Sequence, residues 1–146
     1  MMVNRFRPAL LVAAAITLLA VPGASHQDLT GTYAATLSAD DVKLPAGAQI
    51  PSTAVVGTWS ITFGPDRTYS VKQDHVEHVT GKYTMNGDEI QFNDANGDFA
   101  CKGGDAPEGV YRLKTEGATL TFTKVKDDEC PGRVATLTPK PFTAVR

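Results

Sequence analysis

From Val56 to Phe63 apolar and small polar residues alternate strictly, with Trp59, Ile61 and Phe63 on one parity and Thr58, Ser60 and Thr62 on the other. That is the period of a strand with one dry and one wet face. Similar runs recur along the chain, separated by short polar turns. Leu29–Leu37 is the first. Arg67–Gln73 returns from the Gly64-Pro65-Asp66 turn, and Val76–Met85 is followed by Asn86-Gly87, a strong two-residue hairpin signal. Asp88–Phe92, a short Phe99–Cys101 strand, Gly109–Lys114, Ala118–Val125 and a closing Arg133–Pro139 strand complete the series, with Asn93–Asp98 read as a turn cluster. Ser38-Ala39-Asp40-Asp41 carries a helix-start signal that Pro45 and Gly47 cut short, leaving a short helix or a lid loop through Thr53.

Many short strands and no helix of any length predict an all-β sandwich or barrel. An immunoglobulin-type sandwich places its tryptophan between two cysteines, whereas Trp59 precedes both Cys101 and Cys130. Consecutive hairpins favour an up-and-down antiparallel β-barrel of about eight strands, which leaves no sheet edge exposed. A Gly-x-aromatic unit recurs at Gly31-Thr32-Tyr33, Gly57-Thr58-Trp59, Gly81-Lys82-Tyr83 and Gly109-Val110-Tyr111. This is repeated use of one supersecondary unit, with glycine letting each strand bend. Parity sends Trp59, Tyr69, Tyr83, Phe92, Tyr111, Leu120 and Phe122 inward, and Glu77 shares their parity near a strand end, where it either faces in at a barrel mouth or is exposed. A large aromatic interior fits a ligand pocket and fits a filled core equally well.

The N-terminus changes the picture of location. Arg5 and Arg7 precede an apolar run from Ala9 to Val21 and then Pro22-Gly23-Ala24-Ser25. That is the layout of a secretory signal peptide over residues 1–25, leaving a single domain over residues 26–146. The run falls short of the roughly 20 residues of a membrane span, so neither an uncleaved anchor nor stable membrane insertion is expected. Losing Arg5 and Arg7 takes the net charge from −2 to −4. A mildly acidic exported domain argues against nucleic acid and anionic membrane partners. Two cysteines in such a chain, Cys101 and Cys130, read as one disulfide closing a loop of about 30 residues.

Candidate chemistry is sparse. His75 and His78 would point to opposite faces of a strand, so Asp74-His75-Val76-Glu77-His78 reads as a solvated hairpin tip rather than a metal site. Asp127-Asp128-Glu129 reads as a solvated acidic rim, and neither it nor Asn93–Asp98 matches a calcium loop. There is no nucleophile motif and no evident inward pair of carboxylates, so neither an enzyme nor a cofactor is expected.

Gly57-Thr58-Trp59 near the start of an antiparallel meander resembles the Gly-x-Trp signature of the calycin superfamily, which includes lipocalins, fatty-acid-binding proteins and avidins. The order of Gly31-Thr32-Tyr33, Asp40-Asp41, Gly57-Thr58-Trp59, Gly81-Lys82-Tyr83, Ala100-Cys101 and Asp127-Asp128-Glu129-Cys130-Pro131-Gly132-Arg133 is similar to small exported bacterial lipocalin-like proteins. The resemblance covers essentially all of residues 26–146. It departs from lipocalins proper in showing no C-terminal helix.

This resemblance implies a monomeric secreted or periplasmic protein that binds a small apolar or amphipathic molecule through Trp59, Tyr69, Glu77, Tyr83, Phe92, Tyr111, Leu120 and Phe122. The Ser38–Thr53 segment would cover the mouth. It also implies structural roles for Gly57 and for Arg133, whose guanidinium would stack on a Trp59 ring closing the barrel floor, the alternative being a solvated Arg133 beside Cys130. The alternative is a protein-binding barrel, like a protease inhibitor, with a filled core.

Overall fold

The computed structural model describes residues 28–102 and 108–146; the signal-peptide reading of residues 1–25 lies outside them. The alternating runs become β1 (Gly31–Leu37), β2 (Gly57–Phe63), β3 (Thr68–Gln73), β4 (Val76–Asn86), β5 (Glu89–Asn96), β6 (Glu108–Glu116), β7 (Thr119–Lys126) and β8 (Phe142–Ala144), with helix α1 (Pro131–Leu137) before the last strand. Each strand pairs antiparallel with the next, and β8 pairs with β1 to close the barrel. Closure satisfies both edges, as the alternation requires.

Two ends differ in construction. One carries tight turns between β2 and β3, β4 and β5, and β6 and β7. The other carries the long β1–β2 connection, the segment after β5, and the β7–α1 connection. Below this second end the interior is packed. Phe92 lies at the centre, with ring centroids 5.0 Å from Tyr69, 5.9 Å from Tyr111, 5.9 Å from Phe122 and 6.3 Å from Phe63. Edge-on and offset pairs of this kind each add about 0.5–1.5 kcal/mol to the area they bury.

Four sequence expectations change. Arg133–Pro139 is not a strand: Pro131, whose missing N–H is harmless at a first helical position, starts α1 instead. The closing strand is Phe142–Ala144, beyond Pro141. β5 runs on through Asn93-Asp94-Ala95-Asn96, so the turn read there begins later. Phe99–Cys101 is irregular. The helix start at Ser38 forms only its first turn, with the Ser38 N–H and hydroxyl donating to Asp41 at 2.8 and 2.6 Å, and the connection runs on irregularly to a short 3-10 helix at Ser52–Ala54.

Asp41 also fastens this loop to the C-terminal segment, 2.8 Å from Lys140 Nζ. Hydrogen bonds from Lys140 and from Ser38 lower its pKa from 3.8 to about 2. A depressed folded-state pKa adds stability at pH values above the unfolded pKa and loses it as pH falls through the folded one. The stability gap between wild type and Asp41→Asn is therefore expected to be full at neutral pH and to close between pH 3.8 and about 2. Urea denaturation across that window reads it directly.

Candidate functional site

A cavity of about 390 Å³ opens at the end that carries the long connections. Strands, three connections and α1 build its wall, the segment after β5 contributing residues 98–102 and the β7–α1 connection Glu129 and Cys130. The strands contribute Trp59, Ile61, Tyr69, Val71, Phe92 and Asp94, all from the inward parity of β2, β3 and β5. The β1–β2 loop contributes Ile50 and Val55, and α1 contributes Arg133, Thr136 and Leu137. The three α1 residues lie at i, i+3 and i+4, which is one face of a helix. The loop is held in place where Gln73 Nε2 donates to the Ala54 and Val56 carbonyls at 3.0 and 2.8 Å.

Trp59 belongs to this end and does not close a floor. Its indole N–H donates to the Val55 carbonyl at 2.7 Å, so the ring is fixed by the loop it supports. Tyr69 and Phe92 line the cavity as expected from their parity. Tyr83, Tyr111, Leu120 and Phe122 are buried in the packed interior below it. Glu77 is exposed. Its parity is reset by a bulge, because Val71 pairs with Val79 while the adjacent Lys72 pairs with Glu77. The extra residue, His78, turns partly inward instead, its ring stacked on Phe99 at 4.1 Å and its Nδ1 2.9 Å from Asp98. That hydrogen bond holds the Asp98 carboxyl below its usual range.

An ionic cluster is built into the wall at this end. Arg133 Nε and Nη2 donate to the two Asp127 oxygens at 2.6 and 2.9 Å, and Nη1 lies 3.0 Å from Asp94. Tyr69 donates its hydroxyl to Asp94, and Tyr111 donates to Asp127. The Cys101 N–H completes Asp94 at 2.9 Å. Burial works against the Arg133 charge, and the carboxylates of Asp127 and Asp94 outweigh it, so the guanidinium pKa stands above its ordinary value. Burial, then the neighbouring carboxylate, raises the Tyr69 and Tyr111 hydroxyls, which stay protonated as donors.

Arg133 is thus a carboxylate partner, where a stack on Trp59 was expected. Asp127 is a buried member of the cluster, not part of a solvated rim, while the neighbouring Asp128 does lie exposed. Asp94 was hidden inside an apparent turn, although stepping two residues on from Phe92 would have found it.

Two of the repeated glycines make the cluster sterically possible. A Cβ at Gly81 would lie 2.8 Å from the Tyr69 hydroxyl and 2.3 Å from the Asn93 carbonyl oxygen. One at Gly109 would lie 2.5 Å from Asp127 Oδ2 and 2.7 Å from Arg133 Nε. The disulfide between Cys101 and Cys130, with Cα atoms 6.0 Å apart, joins the segment after β5 to the start of α1, and both cysteines line the cavity.

Fold and site together define a closed eight-stranded antiparallel barrel with a cavity at one end, a disulfide across that cavity's wall and a buried Asp–Arg–Asp cluster beside it. Comparison with protein-family models, with curated proteins and with solved structures returns no match for the chain.

Proposed function

We propose that this chain is a non-enzymatic, exported binding protein of the calycin type that holds a small apolar or amphipathic molecule in the mouth of its barrel. The observation that carries this reading is the cavity. Its volume of about 390 Å³ falls in the range of about 300–1,000 Å³ typical of small-molecule sites. Its wall is largely apolar, with Trp59, Ile61, Val71 and Phe92 facing it and few polar groups among them. Displacing water from such a wall favours an apolar ligand, and the few polar groups would orient it. The disulfide fits an oxidising, extracytoplasmic compartment.

Two observations weigh against the other classes. A protein-binding barrel with a filled core does not need the cavity. The inward acids Asp94 and Asp127 are each committed to Arg133 and a tyrosine, an arrangement that suits a structural role better than proton transfer. The test is native mass spectrometry of the protein purified from its host. A co-purifying small molecule that leaves on mild activation is the expected result. A bare mass, together with no change in Trp59 emission on adding apolar probes, would move the reading to the protein-binding class.

A further inference from the structure

We propose that the molecule held in the cavity carries an organic cation, an amine or quaternary ammonium, on its apolar body, and that the cavity discriminates against carboxylates. This rests on the binding function proposed above. An arginine in the wall of an apolar cavity ordinarily marks an anion site, because its planar fork matches a carboxylate. Here the protein itself fills the fork, with Asp127 on Nε and Nη2 and Asp94 on Nη1. The side chains of Asp94 and Asp127 are only 2% and 1% exposed. A ligand carboxylate reaching Arg133 would displace one of them and strand a buried charge, which is strongly unfavourable.

The remaining groups favour the opposite sign. Asp94 is already taken by Arg133 and Tyr69, but Asp98, bonded to His78 on one side, and Glu129 line the exposed part of the cavity together with Lys102. The rings of Trp59 and Phe99 meet there with centroids 6.3 Å apart. Phe99 is 44% exposed with one face stacked on His78, so the rest of its ring is among the first surfaces an entering ligand meets. The faces of tryptophan and phenylalanine attract cations, more strongly where water is excluded. A saturated arginine, the exposed carboxylates of Asp98 and Glu129 and an aromatic pair at the entrance together select a cationic head, with its apolar body directed toward Ile61, Val71 and Phe92.

The experiment titrates the native protein at neutral pH with decyltrimethylammonium, 1-decanol and decanoate, each below its micelle concentration. Binding is read from the emission of Trp59, the single tryptophan. The cation is expected to bind most tightly, and decanoate at least about tenfold more weakly than the cation. Glu129→Gln, at an exposed position of the lining, is expected to reduce the cation's advantage by about two- to threefold. An unchanged ratio in that variant would overturn the part assigned to Glu129. Decanoate binding as tightly as the cation, or the cation binding no better than decanol, would overturn the head-group inference and leave the binding function standing. Failure of all three probes to bind would overturn both.

Discussion

Arg133→Met is expected to lower folding stability by about 3–5 kcal/mol at pH 7, the cost of breaking a buried ion pair from one side. Methionine fills most of the space, so the loss is electrostatic. Asp94 and Asp127 stay buried, and the Tyr69 and Tyr111 hydroxyls that remain bonded to them bring no positive charge. Adding Asp94→Asn and Asp127→Asn to the same chain is expected to restore most of the loss, because neutral amides remove the stranded charges. Urea denaturation of the single and triple variants at pH 7 measures both. A single variant within about 1 kcal/mol of wild type would remove the cluster from any account of stability.

Replacing both Cys101 and Cys130 with serine is expected to cost about 3–4 kcal/mol, from the entropy regained by an unfolded loop of sequence separation 29. The bond has a local effect too. Cys101 donates its N–H to Asp94, and Cys130 directly precedes the helix that carries Arg133. The disulfide therefore holds the two sides of the ionic cluster at their working distance. Its loss and Arg133→Met should not add: the combined variant is expected to lose less than the sum of the two, by about 0.5–3 kcal/mol, as residues sharing one network do. Full additivity in the double-mutant cycle would mean that the staple and the cluster act separately.

The barrel was legible because its signal is redundant. Trp59, Ile61 and Phe63, then Ile90 and Phe92, then Leu120 and Phe122 repeat one parity, and Asn86-Gly87 fixes a hairpin between two of the runs. Trp59, Tyr69 and Phe92 could be named for the cavity on that parity alone. What stayed hidden depended on partners distant in sequence. Arg133, Ala135 and Leu137 alternate as a strand would, yet Arg133, Thr136 and Leu137 also fit a helix face; seven residues satisfy both periods. An acid in Asn93-Asp94-Ala95-Asn96-Gly97 looks like turn chemistry until a cation is found to meet it inside the barrel. Glu77 was misplaced by one residue of bulge, which alternation cannot register. Which end of the barrel Trp59 occupies follows from the lengths of the connections, not from its own strand.

The clearances at Gly81 and Gly109 give those positions an unusual mutational character. Each is a place where a hydrogen atom stands against a charged or hydrogen-bonded oxygen. A methyl group there would not simply crowd a core. It would push the Tyr69 hydroxyl from Asp94, or part Asp127 from Arg133, and so turn a change of volume into the loss of a buried hydrogen bond or the weakening of a buried ion pair. Damage at these two glycines would accordingly mimic a substitution within the cluster itself, although neither has a side chain that belongs to it.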